Sequence, residues 1–162
     1  MRPRLLFPLL FASALGCAGK PTAGIGDTTS LVVFEGLPNR EFEPSVFKAE
    51  GEAKATREVA GFLFYREPLP VGAADLAAIR ALVADPKTLR PFSGEKKCGG
   101  FHPDDAVEWR EGGVTKTLLL CFSCGEARLG STRYDLAIDA KGPLRSLMYR
   151  LRKQRHEWKK FG

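Results

Sequence analysis

Apolar and polar positions alternate or recur along this chain in ways that mark most of its elements. Leu31-Val-Val-Phe-Glu-Gly-Leu is a compact β-prone run closed by Pro38-Asn39. Glu41 to Thr56 is polar and irregular, and Pro44 argues against a long helix across it, leaving one helical turn near Ser45 to Lys48. Val59 to Tyr65 reads as a second strand, stopped by Pro68 and Pro70. From Gly72 to Asp85, Leu76, Ile79, Leu82 and Val83 fall at helical spacing. Asp75 suits the exposed N–H groups at that helix start, and Pro86 closes it. Thr132 to Ile138 alternates as a strand does, and Glu126-Ala-Arg-Leu reads as another. Gly142-Pro143 then opens a last helix with Leu144, Leu147, Met148 and Leu151 as its apolar stripe. The order β–β–α–β–β–β–α predicts an α+β domain: an antiparallel sheet of four to five strands with two helices packed on one face.

The strongest hairpin signal is Gly112-Gly113, since a glycine pair accepts the positive φ of a two-residue turn. Facing residues then have numbers that sum to 225, which sets Val107 against Leu118 and Asp105 against Leu120. One face is largely apolar and the other polar, as a half-covered sheet requires. Lys116 falls opposite Trp109, where a cation over the indole is expected. Extending the register sets Cys121 beside Asp104, Ser123 beside His102 and Cys124 beside Phe101. Gly99-Gly100 lets the chain fold Cys98 back toward them.

Cys98, His102, Cys121 and Cys124 are therefore one candidate site, with Asp104, Asp105 and Glu126 as supporting groups. Three chemistries are open. A disulfide from Cys98 to Cys121 or Cys124 would staple the preceding loop to the hairpin. A structural zinc would use all four, because Cys-x-x-Cys-Gly resembles half of a zinc ribbon. A redox or hydrolytic enzyme would pair His102 with Cys121 or Cys124. Parity separates the first two: in a regular strand Cys121 and Cys124 point to opposite faces, so zinc needs a bend at Phe122-Ser123. Against a histidine ligand stands the commoner role of a lone His before proline, a hydrogen-bonded turn residue. No cofactor other than zinc suggests itself, and neither a Gly-x-Ser-x-Gly elbow nor a phosphate-binding glycine loop is present.

The chain ends carry the remaining information. Arg2 and Arg4, the apolar run Leu5 to Leu15 and Gly16-Cys17 have the three parts of an export signal. That run is shorter than the ~20 apolar residues of a membrane-spanning helix. Ala14-Leu-Gly-Cys17 resembles a bacterial lipobox, which makes residues 1–16 a signal peptide and Cys17 the lipidated N-terminus. Residues 17–30 follow as a tether, 31–155 as one domain and 156–162 as a basic tail. The expected location is extracytoplasmic and membrane-anchored, where thiols tend to be oxidised. With Cys17 lipidated, three thiols remain, so one disulfide leaves one over.

At 162 residues with 44% hydrophobic content the chain can build a core, which excludes general disorder. The formal charge of +6 is concentrated: residues 143–162 hold seven Lys/Arg against one Glu. Such a tail suits an anionic surface, and the lack of interleaved aromatics or a binding motif argues against nucleic acid.

Lys-Lys-Cys98-Gly-Gly-Phe-His102-Pro-Asp104, Val107-Glu-Trp109 and Cys121-Phe-x-Cys124-x-Glu126 together resemble a family of uncharacterised bacterial proteins, many with lipoprotein signals. Glu35-Gly-Leu-Pro38, Gly61-Phe62 with Phe64-Tyr65, and Phe92-Ser-Gly-Glu95 extend the likeness over most of the mature domain. The family pattern has a histidine where this chain has Asn39 and a tyrosine at Asp105. The resemblance implies a site at these residues and no particular activity.

Overall fold

The computed structural model describes residues 25, 30–94 and 100–153, and within these the side chains except at 138–141 and 153. Its architecture is α+β. Eight strands and three helices follow in the order β1 (Leu31–Glu35), α1 (Pro44–Ala53), β2 (Thr56–Val59), β3 (Phe62–Tyr65), α2 (Ala73–Ala84), β4 (Leu89–Pro91), β5 (Asp105–Glu111), β6 (Val114–Cys121), β7 (Glu126–Leu129), β8 (Thr132–Leu136) and α3 (Ile138–Lys153). Six strands form one antiparallel sheet in the order β1-β5-β6-β7-β8-β4, and β2-β3 form a separate hairpin.

The sheet is larger than the expected four to five strands because the expected Glu126–Leu129 strand is joined by an edge strand, Leu89–Pro91, that the sequence reading did not include. Glu126–Leu129 turns back along β6, and Leu89–Pro91 adds an edge strand beside β8. The run expected as one strand at Val59–Tyr65 is folded in half at Ala60 (φ 49°) and Gly61 (φ 84°), a two-residue turn with both φ positive. Pro44 begins a ten-residue helix instead of breaking one, because it stands in the first turn, where no N–H is needed. The last helix starts at Ile138, upstream of Gly142-Pro143.

Alternation divides the sheet's two faces. Val33, Val107, Trp109, Leu118 and Leu120 pack under Ile79 and Val83 of α2 and under Leu144, Met148 and Leu151 of α3, the two helices on one face as expected. Phe34, Ala106 and Leu119 face the other way and are covered by Val59 and Phe64 of the β2-β3 hairpin. Arg57 fixes that hairpin, its guanidinium lying 4.1 Å from the Phe34 ring centre and pairing with Glu108 at 3.2 Å. Trp109 is buried in the main core, and its ring is not among the cation–ring contacts of the described residues. The expected Lys116–Trp109 stack is therefore corrected: the core takes the indole. Among the described residues no helix is long and apolar enough to cross a membrane.

Candidate functional site

The β5-β6 hairpin has the register that its glycine turn dictates, with Asp105 opposite Leu120, Val107 opposite Leu118 and Trp109 opposite Lys116. Gly112 and Gly113 both hold positive φ, 55° and 80°. Beyond Leu120 the ladder loosens, and Asp104 still donates its N–H to the Leu120 carbonyl at 2.7 Å.

At Cys121 the strand stops and the chain reverses through Phe122-Ser-Cys-Gly125 into β7, so that Cys121 pairs with Glu126. Gly125 makes the turn with φ 65°. This is the bend that a shared site for the two cysteines needed. The Cys124 N–H donates to Cys121 Sγ at 3.3 Å, and Cys121 Sγ lies 3.4 Å from Ser123 Oγ. Cys124 Sγ donates to the Gly100 carbonyl at 3.2 Å, which holds the segment just after Cys98 against the turn. Both cysteines are present as thiols and both are buried. Burial pushes the Cys121 thiol up to about 11, reinforced by the neighbouring Cys124 thiol and opposed by bonds from Ser123 and from the backbone of His102 and Cys124. Cys98 and Cys17 lie outside the described residues, and so do residues 154–162 of the basic tail.

The expected neighbours of His102 are engaged elsewhere. Its Nε2–H donates to the Leu37 carbonyl at 3.0 Å, which leaves Nδ1 as the nitrogen with a lone pair when the ring is neutral. Asp104 Oδ2 accepts the Phe122 N–H at 2.6 Å and so fastens the start of β5 to the cysteine turn. Asp105, wholly buried, takes a two-pronged bond from Arg152. Glu126 is held by Arg128 and Arg133 at 2.8 and 2.9 Å, and although burial works to raise it, those two partners bring it below the usual carboxylate value. Among the described residues no three His, Cys, Asp or Glu side chains converge on one point.

Beside the cysteine turn lies a pocket of about 390 Å³ whose wall includes Glu35, Phe42, Glu43, His102, Asp104 and Arg152. Gly36 shapes its floor. A Cβ there would collide with the Pro103 carbonyl oxygen, and the Gly36 N–H donates to the Asp104 carbonyl at 2.8 Å. Asn39 lines the same pocket and accepts the Glu41 N–H through Oδ1 at 2.8 Å.

Sequence reasoning missed Arg152, which it counted with the concentrated positive charge of residues 143–162. The signal was present: Arg152 stands four residues after Met148, on the side of α3 that faces the core. Compared with models of known protein families, with curated proteins and with solved structures, the chain matches none.

Proposed function

We propose that this chain is a bacterial, lipid-anchored, extracytoplasmic binding module in which the segment bearing Cys98 is fastened to the Cys121–Cys124 turn. Cys17 supplies the lipid, and the basic tail favours an anionic surface beside the anchor. The observation that carries the crosslink is the contact of Cys124 Sγ with the Gly100 carbonyl, two residues after Cys98 in sequence. In an oxidising compartment a Cys98–Cys124 disulfide would take the place of that S–H···O bond, with Cys121 as the thiol left over; in the structure Cys121 and Cys124 are unbridged. Zinc is the second reading, favoured by the tight Cys-x-x-Cys-Gly turn and its N–H···S bond, features that suit a pair of bound thiolates. Thiol catalysis is the weaker alternative, because a Cys121 thiol held near 11 is almost wholly protonated at neutral pH and a poor nucleophile.

The test uses the full chain, purified without reductant. Metal content is measured, accessible and total thiols are alkylated in turn, and bridged peptides are mapped by mass spectrometry. A Cys98–Cys124 bridge without metal supports the disulfide, and stoichiometric zinc with protected thiols supports the metal. Three alkylatable thiols and no metal would overturn the crosslink. Labelling with palmitate in a bacterial host, lost in Cys17→Ser, tests the anchor.

A further inference from the structure

We propose that Cys121 and Cys124 together form a two-coordinate site for a soft monovalent metal ion, Cu(I). The proposal goes beyond the crosslink reading and applies to chains in which Cys124 is free, as it is in the structure. A bridge from Cys98 would occupy Cys124 and close the site.

The turn brings two sulfurs together and no third ligand. Cys121 and Cys124 are neighbouring thiols on either side of Phe122-Ser123, and Gly125, with φ 65°, lets the chain reverse behind them. The other donors nearby are already engaged. Asp104 accepts the Phe122 N–H, Glu126 is held between Arg128 and Arg133, and His102 donates its Nε2–H to the Leu37 carbonyl. Among the described residues no third His, Cys, Asp or Glu joins the pair. Structural zinc asks for four ligands, and calcium and magnesium ask for six or more oxygens. Soft thiolates select Cu(I) instead. Two sulfurs alone therefore fit Cu(I) and leave the other ions under-coordinated.

The surroundings suit the complex that forms. Cu(I) takes the place of two thiol protons, which leave to solvent, and the bis-thiolate complex carries one negative charge. Donors for that charge are already in position at Cys121 Sγ. It accepts the Cys124 N–H at 3.3 Å and a backbone bond from His102, and Ser123 Oγ stands 3.4 Å away. Hydrogen bonds of this kind favour the charged form of the group that accepts them. Cys124 Sγ gives up its bond to the Gly100 carbonyl, and because Gly100 is exposed, water replaces the lost donor. Both sulfurs are buried, but Ser123 between them is exposed and lines the neighbouring pocket, which gives an arriving ion a way in.

The experiment uses the full chain in a Cys17→Ser background, reduced and kept free of oxygen, and titrates it with Cu(I) against the chelator bathocuproine disulfonate. One Cu(I) per chain is expected, with two sulfur neighbours in X-ray absorption. Adding Cys98→Ser leaves Cys121 and Cys124 as the only cysteines, and this chain is expected to bind Cu(I) unchanged. Because that variant keeps both proposed ligands, its result does not depend on whether a buried cysteine tolerates replacement. Cys121→Ser and Cys124→Ser, checked for native structure by circular dichroism, are each expected to weaken binding by about 100-fold or more. No Cu(I) uptake, loss of uptake in Cys98→Ser, a third sulfur neighbour, or displacement of Cu(I) by an equal concentration of Zn(II) overturns the proposal. An unreduced sample is mapped for bridged peptides in parallel. A Cys98–Cys124 bridge with no Cu(I) uptake after reduction removes this inference alone, and Cu(I) uptake without a bridge removes only the staple.

Discussion

Arg152 closes on Asp105 through two parallel bonds, Nε to Oδ1 at 3.1 Å and Nη2 to Oδ2 at 2.6 Å, with the carboxylate wholly buried. The pair ties the last helix to the first residue of β5, next to the Asp104 that anchors the cysteine turn. Such a pair contributes little net stability against an apolar replacement, but breaking it strands a charge. Arg152→Met is therefore expected to destabilise the fold by about 3–5 kcal/mol in urea unfolding. Arg152→Met combined with Asp105→Leu is expected to recover most of that loss. A double variant no more stable than Arg152→Met would show that the charge is not what the helix end depends on.

The same pair gives the fold an unusual pH dependence. Burial, countered in part by Arg152, raises the Asp105 carboxyl from 3.8 to about 6. A raised folded-state value means that the native protein holds this proton more tightly than the unfolded chain does. The associated stability is fully present below about pH 4 and is lost as pH rises through about 6. Glu126 acts in the opposite sense: its value is lowered, so its contribution is present above its unfolded value of 4.5 and lost as pH falls through the folded one. Urea unfolding across pH 3–8 is expected to show the Asp105 decline between about 4 and 6 superimposed on the Glu126 rise at lower pH. Asp105→Asn is expected to abolish the decline. A decline that persists in Asp105→Asn contradicts the assignment.

Much of this arrangement was legible in the sequence, for reasons that differ by residue. Gly112-Gly113 specified the hairpin because a turn of two positive φ values admits one register, and the register then placed Asp105, Leu118 and Leu120 without further information. The apolar stripes of α2 and α3 were legible because their period matches the helix they form. The β2-β3 fold was hidden because Ala60 occupies a positive-φ position that sequence reasoning reserves for Gly or Asn. The α1 helix was hidden because proline forbids an interior position and welcomes a first one, and only the boundary distinguishes them. Arg152 was missed for a third reason: it lies in a run of arginines and lysines whose charge outweighed its helical spacing from Met148, and the carboxylate that it pairs with stands 47 positions away.

The cysteine turn carries a reactivity prediction. A thiol near 11 is about 1 part in 10,000 thiolate at pH 7, against about 1 in 100 for one at 9.0. Cys121 is also wholly buried. Iodoacetamide is expected to modify Cys121 at least about 100-fold more slowly in the native protein than in urea, followed by peptide mass spectrometry. The native rate is expected to keep climbing to pH 10 instead of levelling near 9. Rapid labelling at pH 7 would return the turn to the candidates for nucleophilic chemistry.

Gly36 tests whether the pocket and the cysteine turn are mechanically one unit. Its backbone comes so close to Pro103 and Asp104 that any Cβ would strike the Pro103 carbonyl oxygen, and backbone cannot rotate aside as a side chain can. Gly36→Ala must therefore push the end of β1 away from the start of β5 and weaken the bond from Gly36 N–H to the Asp104 carbonyl. Asp104 is the residue whose carboxylate holds Phe122, so the displacement is passed to the Cys121–Cys124 turn. The expected loss is about 1–3 kcal/mol, the ordinary range for overpacking. Amide exchange at Phe122 and Cys124 is expected to accelerate together with that at Gly36's neighbours. The control is Gly51→Ala, at an α1 position where a Cβ would meet only the Leu37 side chain at an ordinary 3.7 Å. That variant is expected to leave Phe122 and Cys124 unchanged and, because alanine suits a helix interior, to be neutral or slightly stabilising. Acceleration confined to the end of β1 in Gly36→Ala, with the cysteine turn unmoved, would separate the two sites that the fold places side by side.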